Sequence, residues 1–197
     1  MCGSAGSGKD TSYEILKKQL GQDWQVQSYA FGRPLKEIVV DLCRLFYGVE
    51  FSAESMNKLD YKEIARPDQA MFLGGEAHPL VLRTLLQQVG TDILRKQLGD
   101  DVFAKAVIQN IAKQMSEPSP QIAIITDLRF PNEQRCIMDY CVQHCFNCIT
   151  IFINRDNVLQ SHNHSSECYY NSLEKDIIID NNGTLEELAQ NLKKIQL

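Results

Sequence analysis

Residues 1–16 read MCGSAGSGKDTSYEIL, and the stretch from Gly3 to Thr11 decides the fold. Gly3-Ser4-Ala5-Gly6-Ser7-Gly8-Lys9 fits the spacing G-x-x-x-x-G-K, and Asp10-Thr11 follows where Ser or Thr is usual. A backbone that wraps a phosphate must reach conformations that a Cβ blocks, which is the use of the glycines. Wrapped in this way, successive N–H groups line a concave anion site. Asp10 to Leu20 reads as a helix with Tyr13, Leu16 and Leu20 on one face and Gly21 at its end. The N-terminus of that helix adds a partial positive charge. Lys9 places a point charge among the phosphates, Asp10 could hold Mg²⁺ directly or through water, and Thr11 reaches a phosphate oxygen.

Such a loop hangs from a buried strand, yet only Met1 and Cys2 precede it. Losing a central strand leaves its neighbours with unpaired buried amides, at on the order of 1–3 kcal/mol each. Total stability is only about 5–15 kcal/mol. The expectation is therefore a chain numbered from an internal methionine of a longer protein, the alternative being that another segment fills the gap.

The remaining order of elements is that of an α/β protein. Trp24 to Phe31 reads as a short strand, and Pro34 opens a helix to about Phe46 through Leu35, Ile38, Val39 and Leu42. Residues 48–80 are polar and irregular and read as an insertion of short helices and loops on the substrate side. Leu82, Leu85, Leu86, Val89, Ile93 and Leu94 predict one helix from Val81 to Leu98, ended by Gly99. Asp100 or Asp101 caps the next, which carries Phe103, Val107 and Ile111. The apolar runs IAIITD (122–127), CITIFI (148–153) and DIIID (176–180) predict strands buried on both faces, with a helix from Asn132 to Val142 among them. Thr184 and Glu187 form a capping box for a last helix through Ile195. Alternating strands and helices predict a three-layer, doubly wound parallel sheet in a single domain.

The chain has 197 residues, a hydrophobic share of 44%, and a net charge of −5. That balance argues against a nucleic-acid polymer or an acidic membrane surface as partner. No run approaches transmembrane length, and seven cysteines without a secretory signal predict reduced thiols and a cytoplasmic setting. Cys141, His144, Cys145 and Cys148 are dense and include a C-x-x-C, but a structural zinc site needs a second pair to close its tetrahedron. Cys136 and Cys168 fit no standard spacing, so the cluster reads as packing between a helix and a strand.

Ligands of parallel sheets sit beyond the carboxyl ends of the strands. Asp127 lies there and is the natural second carboxylate for Mg²⁺, the alternative being a cap for the following helix. An acidic protein that handles phosphates must gather cations locally, and the candidates are Arg33, Lys36, Arg66, Arg83, Arg95, Arg129 and Arg155. Arg83 and Arg95 share a predicted helix and fall within about 120° of each other. Gln87, one turn from Arg83, could bond a base edge.

The segments GSAGSGKDT, FGRPLKE, LRTLLQQVGTDILRKQLGDDVF, TDLRFPNE, HSSE and NNGTLEEL occur in this order along nearly the whole chain. Together they resemble the deoxynucleoside monophosphate kinases of the bacteriophage type, a branch of the adenylate kinase-like P-loop kinases, in which GKDT is itself usual. The resemblance implies transfer of the γ-phosphate of ATP to a nucleoside monophosphate. It places the ATP phosphates on Gly3 to Thr11, and Arg33 and Lys36 near the acceptor phosphate. Arg83, Gln87 and Arg95 would line the acceptor site, with Asp127 and Arg129 at the centre. Residues 155–172 would form a lid carrying Arg155, with His164-Ser165-Ser166-Glu167 ordering it and Glu167 positioning an arginine. Asn181 to Thr184, Gly183 included, would pass beside the adenine. A homodimer is compatible with this reading. Two other readings stay open: a P-loop kinase of a non-nucleotide phosphate such as phosphomevalonate, and a catalytically inactive nucleotide-binding module.

Overall fold

In the computed structural model, the described residues are 1–21, 23–48, 52–53, 56, 66–73, 76–80, 82–114, 121–156 and 172–195; for Tyr47, 66–73 and 76–80 this means the backbone alone. They divide into two units, Met1–Phe31 with Ala104–Leu197, and Gly32–Phe103.

In the first unit, α1 (Lys9–Leu20) leads to β1 (Gln25–Tyr29), which runs parallel to β4 (Gln121–Ile125) with Val26 opposite Ile122 and Ser28 opposite Ile124. A second parallel pair joins β5 (Ile151–Asn154) to β6 (Ile177–Asp180). The helix α6 (Pro131–Gln143) follows β4, and α7 (Leu185–Leu192) follows β6. Helical crossovers of this kind are what make neighbouring strands parallel. Leu16, Val26, Ile124, Ile153, Ile179, Leu188 and Leu192 meet in one core. The capping box is formed: Thr184 Oγ1 accepts from the Glu187 N–H at 3.3 Å, and Glu187 Oε2 accepts from the Thr184 N–H at 2.7 Å. The helix is shorter than expected, since its regular part ends at Leu192.

Met1 and Cys2 stand between the two pairs. Met1 N donates to Ile125 O, and Leu128 N donates to Met1 O at 3.2 Å. Cys2 N donates to Ile151 O at 2.9 Å, and Ile153 N donates to Cys2 O at 3.0 Å. Cys2 thus lies opposite Phe152 as a one-residue parallel bridge. Among the described residues of this unit the strands form two parallel pairs, bridged at these two positions. Below them lies a cavity of about 300 Å³. Ile122, Ala123 and Ile125 of β4 line one side, Cys148, Ile149 and Thr150 the other, and Ile137 and Met138 of α6 a third.

The second unit begins with α2 (Gly32–Tyr47). Where short helices and loops were expected in 48–80, the described residues hold an antiparallel hairpin, β2 (Arg66–Leu73) with β3 (Glu76–Leu80), its register shifting between Arg66 and Ala70. The single helix expected from Val81 is also corrected. It consists of α3 (Leu82–Gln87), a π-wound stretch from Gln88 to Arg95, and one turn, α4 (Lys96–Leu98). The Lys96 N–H reaches Thr91 O, five residues back. A π-wound stretch turns less per residue than an α-helix, so the angle derived for Arg83 and Arg95 does not hold. Gly90 lies in this stretch, and a Cβ there would stand 2.7 Å from Leu35 Cδ2 of α2. Val39, Cys43, Met56, Leu82, Leu85 and Val89 form this unit's core. Most of α5 (Val102–Gln114) belongs to the first unit, where Ala104, Val107 and Ile111 are buried.

The cavity lies beside Met1, between β4 and residues 148–150, and much of its lining is apolar. Fusing about four β-branched residues directly ahead of Met1 should extend its pairing down both flanking strands. Each buried Val or Ile contributes roughly 1.5–3 kcal/mol, and each kcal/mol moves the midpoint by about 2–4 °C at this chain length. The melting temperature should rise by at least about 5 °C over a fusion of four Gly/Ser residues, and equal midpoints would show that the cavity does not accept a strand.

Candidate active site

Two backbone bonds hold Cys2 against β5, and the chain leaves the sheet at Gly3 with φ 141°. A Cβ on Gly3 would stand 2.5 Å from Ile153 O, so only glycine can pass β5 this closely. Gly6 and Gly8 follow with φ 75° and 97°, and Ser7 N closes a turn onto Ser4 O at 3.2 Å. Ser7 is fully buried. The loop ends at Lys9, the first residue of α1.

The Lys9 side chain folds back across the loop. Its Nζ donates to Gly3 O at 3.0 Å and Ser4 O at 2.8 Å, with Ser7 Oγ at 3.5 Å. Burial lowers the Lys9 pKa, and the positive charge of Arg129 lowers it further, while Asp10 and Asp127 oppose the shift. These four ionisable groups therefore share one electrostatic neighbourhood.

Asp127 sits just beyond β4, and its Oδ1 accepts from the Phe31 N–H at 2.7 Å. The carboxylate thus ties the exit of β1 to the exit of β4. Arg129 is placed by Glu133, a buried carboxylate whose Oε2 accepts from the Arg129 and Phe130 N–H groups, each at 3.1 Å. Arg155 follows β5 and brings Nη1 to 3.5 Å from Gly6 O at the loop rim.

Asn181, expected beside an adenine, is buried and braces the loop from below. Its Nδ2 donates to Ser7 O at 2.7 Å, and its own N–H donates to Asn154 O at 2.8 Å. A Cβ on Gly8 would stand 2.3 Å from that Nδ2, which gives Gly8 a packing reason as well as a conformational one. Gly183 lies against the Glu187 carboxylate of the capping box. Thr11 lines an open groove of about 360 Å³ with Ile15, Lys18, Leu185 and Ala189, between α1 and α7.

The other expected residues belong to the second unit. Arg33 pairs with Glu37 at 2.9 Å on the surface of α2. Lys36 and Arg83 are half-buried, and Gln87 is exposed. Arg66 opens β2 opposite Leu80. Arg95 donates to Asp100 O at 3.1 Å and lies over the Phe103 ring at 5.3 Å. Glu167, His162, His164 and Cys168, with most of the expected lid, lie outside the described residues. Among the described residues no three metal-ligating side chains converge; Cys141 and Cys148 line one cavity.

Sequence reading missed two sets of residues. Glu133 was visible in DLRFPNE, but nothing in the string says that its carboxylate turns back on Arg129. Asn182 was visible in NNGT, but not its partners: its Nδ2 donates to Asp156 Oδ2 at 2.9 Å and its Oδ1 accepts from the Asp156 N–H at 2.8 Å. Asn154 Nδ2 joins this network through Asp156 Oδ1 at 3.0 Å. These contacts order the chain where it leaves β5.

The described elements are those of an α/β protein whose glycine-rich loop, at strand ends and a helix N-terminus, is of a kind that can hold an anion. The family described as deoxynucleotide monophosphate kinase matches residues 43–192, and the chain belongs to that family. It is a phosphotransferase that phosphorylates a deoxynucleoside monophosphate with ATP as donor. No curated protein matches the chain. Asp127, Arg129, Arg155 and Asn181 fall inside the matched stretch, whereas Gly3 to Thr11, Arg33 and Lys36 precede it. No helix among the described residues is long and apolar enough to cross a membrane.

Removing the brace beneath the loop should loosen it. Asn181→Ala leaves the buried Ser7 carbonyl unpaired at a cost of about 1–3 kcal/mol, whereas the exposed Asn182→Ala should stay within about 0.5 kcal/mol of wild type. Denaturant titration of the two variants gives the comparison, and equal losses would show that Asn181 is not the brace.

Proposed function

We propose that Gly3 to Thr11 receives the phosphates of ATP and that Lys9 supplies the charge that steadies the transferred phosphoryl group. The observation that carries this reading is the position of Lys9 Nζ, held by Gly3 O and Ser4 O inside the mouth of the loop. Those carbonyls are weak partners for an ammonium, and a phosphate oxygen is a strong one. Arrival of a phosphate lets Nζ exchange its neutral acceptors for a charged one. Lys9 is then already placed, so little reorganisation accompanies the reaction.

Asp10, at the start of α1, and Asp127, beyond β4, suit Mg²⁺, which takes one or two carboxylates and completes its shell with water and phosphate oxygens. Asp10 and Asp127 would hold the ion, which would supply positive charge against that of the phosphates. Arg129, fixed through its backbone by Glu133, and Arg155, at the loop rim, supply cationic donors for the oxygens that gain charge. Phosphoryl transfer needs alignment and charge neutralisation more than covalent help, so no dedicated base is required. On this reading the acceptor is held by Arg33, Lys36, Arg66, Arg83, Gln87 and Arg95 of the second unit, with Glu167 positioning an arginine. The segment from Arg155 to 172 closes as a lid against water. Asn181 supports the loop from the β6 side, and the chain from Asn181 to Thr184, Gly183 included, passes beside the adenine. The two parallel pairs are halves of one sheet in the order β1, β4, Met1–Cys2, β5, β6, with the loop rising from its centre.

Coupled ADP-release assays on a panel of deoxynucleoside monophosphates, with phosphomevalonate alongside, test the acceptor. Turnover is expected with at least one deoxynucleotide and none with phosphomevalonate; the reverse would overturn the assignment. ATP at about 100 times its dissociation constant should stabilise the protein by about 2.7 kcal/mol. A thermal shift without turnover would mark an inactive nucleotide-binding module instead.

Lys9→Ala should lower kcat by at least about 10²-fold, the size of effect seen when one stabilising donor is removed. Its circular dichroism and melting temperature should stay close to wild type. Retained turnover would place the donor phosphates elsewhere.

A further inference from the structure

The turn between α6 and β5 carries two thiols that the proposed reaction does not use. Cys141 lies in the last turn of α6, and the chain then reverses sharply. The Phe146 N–H donates to Cys141 O at 2.8 Å, and Cys145 takes the left-handed conformation with φ 57°. Three rings hold this reversal: Tyr140 and His144 with centroids 4.4 Å apart, and His144 and Phe146 stacked at 6.0 Å. The result is that Cys148 returns towards Cys141, and the two thiols lie near enough to influence each other's ionisation. Cys148 is exposed and Cys141 half-buried, and both line the cavity beside β4.

We propose that Cys141 and Cys148 form a reversible disulfide, a modification site at the turn from α6 to β5 that is oxidised by exchange with a low-molecular-weight disulfide such as oxidised glutathione. The roles of the two thiols differ. The nearby Cys141 thiol lowers the Cys148 pKa to about 7, against the opposing effects of partial desolvation and the Asp176 carboxylate. The same pairing, with burial, raises that of Cys141. A thiol that titrates near ambient pH is the best attacking group, because it is both ionised and nucleophilic. The Cys148 thiolate attacks one glutathione sulfur, the glutathione S–S bond breaks, and one glutathione leaves as a thiolate. Cys141 then gives up its proton and attacks Cys148 Sγ, breaking the mixed disulfide and releasing the second glutathione. The protein loses two electrons and two protons, and one oxidised glutathione becomes two reduced ones. Only a short turn separates the two residues, and the rings already hold it closed.

The test uses the full chain, fully reduced, desalted and incubated with oxidised glutathione. Digestion with chymotrypsin cuts after Tyr140 and Phe146, so the disulfide joins two separate peptides that mass spectrometry identifies. The expected result is a Cys141–Cys148 link that dithiothreitol reverses and that Cys145→Ser retains. Alkylation of Cys148 by iodoacetamide should follow a midpoint of about 7 in the wild type, moving up by at least one pH unit in Cys141→Ser. A stable glutathione adduct on Cys148 with Cys141 free, a link that disappears in Cys145→Ser, or an unreactive Cys148 would each overturn the proposal. The first and third are read on the wild-type chain, so the outcome does not depend on a variant that folds.

Discussion

Four backbone hydrogen bonds through Met1 and Cys2 hold the first unit together and aim its loop. On one side they reach Ile125 and Leu128, and on the other Ile151 and Ile153. Without them β1–β4 and β5–β6 would be separate two-stranded ribbons, and a ribbon of two strands is marginal by itself. The same bonds set where Gly3 leaves the sheet. The loop, the start of α1 and the position of Lys9 follow from that exit. Two residues therefore carry the register of everything at the strand ends.

Charge at the site is balanced rather than piled up. Lys9 and Arg129 repel each other across a partly dry space, and Asp10 and Asp127 offset that repulsion. Such an arrangement suits a polyanion, because each phosphate oxygen that enters relieves a like-charge contact while replacing neutral carbonyl partners. It also reconciles an acidic chain with an anionic ligand: net charge describes solubility, whereas affinity is set by a few groups brought together locally.

The supporting residues are as informative as the charged ones. Asn181 beneath Ser7, Glu133 behind Arg129 and Asn182 beside Asp156 each use a side chain to fix a backbone segment. A site built this way has its backbone geometry fixed by side-chain hydrogen bonds. The two close glycine packings, Gly3 on Ile153 O and Gly8 on Asn181, serve the same end, since a methyl group at either would push the loop off its supports.

The sequence by itself determined the local pieces. Periodicity located α1, α2, α6 and α7, the apolar runs located β4, β5 and β6, and the glycine spacing located the loop, because these signals are carried by residues near one another in the chain. It also brought Lys9, Asp10, Asp127 and Arg129 to mind as one group, since all follow strands or open helices. Only the tertiary structure decided what depends on contacts between distant residues. It alone showed that Met1 and Cys2 bridge the two strand pairs, that Asn181 braces the loop, and that 48–80 includes a hairpin. Likewise, it alone showed the π-wound stretch and the close approach of Gly90 to Leu35 of α2, since a helical repeat read along one segment contains no trace of its neighbour's shape.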